Sequence, residues 1–295
     1  MAGLSQIMDY LKAPIPEFKA VHIYIREQNL GAGPNANELR LACKERFDRY
    51  ILMEDDLEVS PNFLQYMDEA LEAYANDPKV VAVTGYAYPL DWIAAPGCTA
   101  VKQNFNASAW GRGFWFQKMP EIYHYLHKNG LSKDFSAAYR SGKFDRMIDF
   151  AVKDYVQCTS AGWSRPGAFL TSASDLAMRI YLAVNDAYYI MPLVSKVRNH
   201  GYDGSGRYCQ RIEGNGSGPF CVDKYNFSTQ PIDSSTDFQL VVDPDFDLKA
   251  NRDLLNDFDR VAPESMAEIR ARAKRISKGG RYYGLFRRAV RILKG

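Results

Sequence analysis

Residues 50–63, YILMEDDLEVSPNF, decide how this chain is read. Tyr50 to Met53 is a short apolar run that stops abruptly at Glu54-Asp55-Asp56, as a buried strand does on opening into a polar loop. Leu57-Glu58-Val59 forms a short link. Ser60-Pro61 then reads as an N-cap followed by proline at the first helical position, where its missing N–H costs nothing. Phe63, Met67, Ala70, Leu71 and Tyr74 extend an apolar face at helical spacing, and Asn76-Asp77-Pro78 ends it. Lys79 to Thr84 (KVVAVT) is a second buried strand. Upstream, residues 20–25 (AVHIYI) alternate as a strand would, and Asn35 to Phe47 reads as a helix. Strand, helix, strand, helix, strand predicts an α/β fold whose mostly parallel sheet is flanked by helices.

Past Gly85 the pattern loosens. Residues 104–116 (NFNASAWGRGFWF) are aromatic and glycine-rich, a composition that suits a cleft lining or a core. Helices are expected at Leu4 to Leu11 and near 119–128, 145–157 and 174–185, with a short strand from Tyr188 to Met191. Residues 201–219 read as a long glycine-rich loop, and 223–262 are too weakly patterned to assign. The expected organisation is an α/β domain over 1–210, an irregular extension over 211–263 and a basic amphipathic helical tail over 264–295.

The 295 residues, 46% apolar and 24% charged, are enough to bury a sizeable core. No run approaches the roughly 18 apolar residues of a membrane span. The opening MAGLSQIMDYLKAPIPEFKA lacks the charged and apolar regions of a secretory leader. Five cysteines (Cys43, Cys98, Cys158, Cys209, Cys221) without a C-x-x-C pair then read as reduced thiols of a cytoplasmic protein. The net charge of +2 conceals an asymmetry. Residues 270–295 hold ten Lys and Arg and no acid, leaving 27 basic against 35 acidic groups, or −8, in the rest. An acidic body argues against nucleic acid as a partner, and a basic tail points to an anionic one.

Glu54-Asp55-Asp56 falls just past the carboxyl end of a strand, where open α/β sheets bind ligands. Crowded carboxylates repel, and a hard divalent cation relieves that cost. Mg²⁺ or Mn²⁺ with oxygen ligands and a diphosphate completing the shell suits them. Three acids alone read first as a solvated turn capping the helix that starts at Ser60. Their surroundings carry more. Arg26-Glu27-Gln28-Asn29-Leu30-Gly31 closes the strand before, and Gly85-Tyr86 closes the strand after. Ser108-Ala109-Trp110-Gly111 and Asn199-His200-Gly201-Tyr202-Asp203-Gly204-Ser205-Gly206 follow.

Together these motifs resemble the nucleotide-sugar-dependent glycosyltransferases of GT-A (Rossmann-like) fold. The likeness is to the branch with Glu-Asp-Asp in place of Asp-x-Asp, which includes bacterial surface-polysaccharide sugar transferases, and it runs from about residue 20 to 210. The resemblance implies a metal-dependent transfer, expected to be inverting, from a nucleotide-sugar donor to a glycan or lipid-linked acceptor. It implies Asp56 as the ligand of Mn²⁺ or Mg²⁺, Asp55 at the ribose or the metal's waters, and Glu54 orienting the loop. Asn29, Gly31, Trp110 and His200 would join Glu54 and Asp55 in donor binding. Transfer expels a diphosphate, whose charge a cation neutralises.

An inverting transfer also needs a carboxylate to take the acceptor's proton. Asp175, in SASDL, falls where the similar transferases carry an acid, and an Asp in a first helical turn equally satisfies helix N–H groups. Asp91 competes for the role. His200 is a third ligand, a diphosphate contact or a structural residue. Glycines 201–206 suit a lid or a plain turn, and Trp110 and Trp115 suit a sugar face or the core. The family normally opens with a strand, a helix and a second strand before the position of residue 20, so this chain is expected to lack that base-binding unit. Gly111-Arg112-Gly113-Phe114-Trp115 also departs from the relatives' aromatic run. An alternative is therefore a catalytically defective remnant of the same fold acting as a binding module. A divalent-metal phosphoesterase would want more ligands than the sequence offers.

In the tail, residues 282–294 (YYGLFRRAVRILK) place Arg287, Arg288, Arg291 and Lys294 on one helical face and apolar residues on the other. Such a helix anchors at an anionic membrane surface or packs on the body with its basic face solvated. Gly279-Gly280 before it suggests a separate element over 279–295, peripheral at the inner face of the plasma membrane.

Overall fold

Val80–Thr84 forms β3, and its five residues are buried throughout because both sides of the strand are covered. A computed structural model describes residues 2–12, 15–128, 132–164, 175–201, 227–259 and 263–294. The chain forms two compact units, residues 1–46 and 47–295. The first contains α1 (Ala2–Leu11) and α2 (Ala32–Lys44). Residues 20–25 are not a strand here: Val21, Ile23, Tyr24 and Ile25 are exposed and in no ladder. Period-two alternation marks which side of a strand would be apolar, and without a pairing partner it forms none.

The second unit is built on a six-stranded sheet. β1 (Arg49–Leu52), β5 (Arg112–Trp115), β3, β6 (Tyr188–Pro192), β4 (Ala100–Gln103) and β8 (Val242–Asp243) lie in that order. The sheet is mixed. β1, β3 and β6 run one way and carry the parallel character expected from the sequence, while β5, β4 and β8 run the other. A two-stranded ribbon pairs β2 (Leu57–Val59) with β7 (Val197–Asn199), so the segment expected to be a link is a strand.

The amphipathic α3 (Phe63–Ala73) covers one face, burying Phe63, Tyr66, Met67, Ala70 and Leu71 against Val83, Trp115 and Ile190. It starts two residues beyond Ser60-Pro61. Ser60 and Asn62 turn the chain instead, with the Ser60 hydroxyl donating to Asn62 Oδ1 at 2.9 Å. Trp115 is core and not a sugar platform: its indole N–H donates to Leu71 O at 2.9 Å, and Lys118 Nζ sits 3.7 Å from the ring centre. The other face carries α4 (Met119–Lys128), α5 (Ser132–Ser141), α6 (Asp149–Ser164), α7 (Asp175–Asn185), α8 (Arg252–Asp259) and α9 (Pro263–Lys294). They pack around Phe114, Tyr189 and Met191, the strand neighbours of Trp115 and Ile190. β3 breaks this alternation because its register with β6 shifts between Val80 and Ala82.

Among the described residues no helix is long and apolar enough to cross a membrane. Cys43 and Cys98 are free thiols, and Cys209 and Cys221 lie outside the described residues. So do residues 202–226, which contain most of the expected loop and the expected boundary near 210. In the segment left unassigned, β8 and α8 form, and α9 continues as one helix through Gly279-Gly280, where a break was expected.

Candidate functional site

The acids occupy the turn between β1 and β2, at the carboxyl end of β1. β5 runs antiparallel there, and its first residue, Arg112, pairs with Leu52 at the end of β1 and with Thr84 at the end of β3. α7 precedes β6, so its first residue, Asp175, comes to the same edge of the sheet. Residues 54–56, 112 and 175 are thereby assembled by topology where crossover sheets leave a crevice.

Arg112 is 5% exposed, and its Nη1 lies 3.7 Å from Asp175 Oδ1. Burial works against a guanidinium, but Tyr189, Asp175 and Glu54 hold its pKa above the ordinary value. Asp175 is half-exposed. Burial raises its carboxyl above the ordinary value, while Arg112 and the Ala109 N–H, which donates to it, oppose the rise. The Ser108–Gly111 segment thus meets the candidate base through its backbone. Glu54 is also raised, by partial burial first and then by Asp56 and Asp175; Arg112 opposes the shift, and Asp55 adds to it. Asp55 is exposed in the turn.

Asp56 is held differently. Its carbonyl accepts from His200 N–H at 2.8 Å, which fixes the turn against the end of β7. Its Oδ1 is buried and has no hydrogen-bond partner among the described residues. Its Oδ2 fills the place of a side chain at Gly201, only 2.2 Å from where a Cβ would stand. Gly201 N–H in turn donates to Asn199 Oδ1 at 2.7 Å. A carboxylate oxygen buried without a donor costs several kcal/mol in desolvation unless a cation or a donor group meets it.

The remaining candidates divide. The His200 ring is engaged by Glu58, Nε2 to Oε2 at 2.7 Å, at an exposed rim. Its contribution to the acid turn is its backbone. Trp110 packs edge-on to Tyr86 and Phe227, at 4.6 Å and 5.3 Å between ring centres. Asn29 and Gly31 belong to the first unit, where Asn29 Oδ1 accepts from Gly31 N–H at 2.8 Å and Gly31 takes φ +77° before α2. Asp91 is exposed in the loop after β3. Arg112 and Tyr189 are members of the cluster that no local sequence pattern singles out; the one clue is a lone arginine between two glycines at the start of an apolar strand.

Two other glycines are needed by close packing. At Gly85 and Gly111 a Cβ would meet Phe63 at 2.9 and 3.0 Å, and Gly111 has φ +59°. Gly85 N–H donates to Gly111 O at 2.7 Å, which ties the ends of β3 and β5 beneath the ribbon.

Among the described residues no group of three His, Cys, Asp or Glu side chains is placed to enclose a metal. What they offer is one carboxylate oxygen lacking a partner, amid hard oxygen donors. That fits a cation held partly by the protein and partly by a bound anion and water. No protein-family model matches the chain, and no curated protein matches it.

Proposed function

We propose that the chain is a metal-dependent glycosyltransferase acting on a nucleotide-sugar donor. The observation that carries this reading is the buried, partnerless Asp56 Oδ1 at the same sheet edge as Asp175 and Arg112. Asp56 would hold Mn²⁺ or Mg²⁺, with Asp55 reaching the ribose or the metal's waters and Glu54 shaping the turn. Bound there, the cation supplies neutralisation of charge on the departing diphosphate. Asp175 takes the proton from an acceptor hydroxyl of a glycan or lipid-linked sugar as that oxygen bonds to the sugar's anomeric carbon. The bond to the diphosphate breaks with its electron pair. Attack from the face opposite the leaving group inverts the anomeric centre. Burial raises the Asp175 carboxyl, and Arg112 opposes that rise and so favours the ionised form that a base needs.

Isothermal titration of the full chain with UDP- and GDP-sugars, with and without Mn²⁺, tests the reading. Binding is expected only with the metal. Asp56→Ala should abolish it, whereas Asp175→Asn should leave it intact and lower turnover by about 10²–10⁴-fold. No metal-dependent binding of any nucleotide sugar would overturn the proposal. Sugar binding without nucleotide or metal would support instead a remnant of the fold serving as a binding module.

A further inference from the structure

α9 changes sides partway along its length. Each helical residue advances the azimuth by about 100°. Measured from Ala273, the positions it lends to the core against α5 and α6 (Met266, Ile269, Ile276 and Ser277) fall within about 60° of that direction. Arg140 Nη1 fastens this half by donating to Ser277 O at 2.7 Å. Glu264, Glu268, Arg275 and Lys278 lie on the opposite side. The helix continues unbroken to Lys294, so the same count holds beyond Gly280. Gly280, Gly284, Arg287 and Arg291 now take the core-side direction, with Arg288 and Lys294 about 60° to either side. Tyr282, Leu285, Phe286, Ala289, Val290, Ile292 and Leu293 fall within about 80° of the opposite one.

The apolar stripe therefore inverts between the two halves. The second half has glycine and arginine where further docking on α5 and α6 would need apolar residues. We infer that residues 281–294 form an interfacial anchor that seats this inverted stripe in an anionic lipid surface. Charge selects the occupant. Residues 270–295 carry ten basic and no acidic residues, so pairing two copies through this stripe brings like charges together. Lipid phosphates answer them. The inference is independent of the sugar-transfer reading.

Flotation of the full chain with phosphatidylcholine vesicles, with and without phosphatidylglycerol, tests it. The protein should float with the anionic vesicles at low salt and stay behind with the neutral ones. Phe286→Asp with Leu293→Asp should abolish flotation, and Arg287→Gln with Arg291→Gln should lower the partition coefficient about thirty-fold. Neither pair should change the melting temperature, because the docked half of α9 is untouched. Failure to float with anionic vesicles would overturn the anchor, as would flotation that survives the two aspartates. A dimer split to monomer by the aspartates would also overturn it, assigning the stripe to a second copy.

Discussion

Two charged clusters lie on the second unit, and their partner lists differ. In the first, Lys196 is 2% exposed and ion-paired with Asp233. Asp233 Oδ2 also accepts from Asn62 Nδ2 at 2.9 Å, and Oδ1 accepts from the Ser235 backbone N–H at 2.9 Å and from its hydroxyl. Lys196 Nζ stands 4.2 Å from the centre of the Phe238 ring. Both charges are answered by groups of the chain itself. In the second cluster, Glu54 and Asp175 share Arg112, Asp56 adds a further acid beside Glu54, and a buried oxygen of Asp56 has no partner among the described residues. Charges fully answered from within hold a fold together. Charges left partly unanswered cost stability and are retained where something else is bound.

The largest effect comes from breaking the first cluster. Burial alone would raise the Asp233 carboxyl, yet hydrogen bonds from Lys196, Ser235 and Asn62 hold it well below the usual carboxylate range. Burial lowers the Lys196 ammonium even with Asp233 beside it. The lysine is thus the costly member and the aspartate its remedy. Asp233→Ala leaves a buried, uncompensated ammonium and should cost about 3–5 kcal/mol by denaturant unfolding. Adding Lys196→Met should restore most of that loss. If the double variant is no more stable than the single one, the pair is not the clasp described here. In wild type the Asp233 contribution is present above its ordinary value of 3.8 and lost as pH falls toward its lower folded-state pKa.

The second cluster should respond far more in ligand affinity than in stability. Gly201→Ala puts a methyl group where Asp56 Oδ2 lies. The turn cannot follow, because the Asp56 carbonyl is bonded to His200 N–H, so only the carboxylate swings away. Metal-dependent nucleotide-sugar affinity should fall by about 10–100-fold, with the unfolding midpoint nearly unchanged. An unaltered affinity would show that this carboxylate does not position the ligand.

The same contrast explains what the sequence could and could not tell. α3 was legible because its apolar residues keep one helical period, and β3 because four apolar residues, Val80 to Val83, run without a break. The Glu54–Asp56 turn was legible because an apolar run ends there without transition. Asp175 was found as an acid at a helix start, but the Arg112 that joins it to Glu54 comes from register, Leu52 against Arg112 against Thr84. No local pattern carries that. The true start of α3 was hidden for a similar reason. Asn62, 171 residues from Asp233, spends its side chain on that carboxylate, and no side-chain cap bond forms at the helix. Segment 223–262 gave no periodicity because much of it is held by single polar contacts. Gln230 donates to Ala87 O at 2.7 Å, and Leu240 N–H donates to Glu69 Oε2 at 2.8 Å.

The smallest effect is the most specific test of the difference between the clusters. Partial burial and the neighbouring carboxylates raise the Glu54 pKa above its ordinary 4.5, so the folded chain binds this proton more tightly than the unfolded chain does. Stability linked to Glu54 is therefore greatest at and below pH 4.5 and falls as pH rises through the higher folded-state value. This is the opposite sense to Asp233. Glu54→Gln removes the repulsion and should raise the melting temperature of the ligand-free chain at pH 7 by up to about 2 °C, since solvent screens an exposed side chain. The gain should vanish below pH 4.5, where the wild-type carboxyl is already protonated. Bound Mn²⁺ and nucleotide sugar should shrink it at pH 7 as well, because the cation offsets the same repulsion. A Glu54→Gln chain that is less stable at pH 7 would mean that the acid turn is satisfied internally, like the Lys196–Asp233 clasp, and is not strained toward a ligand.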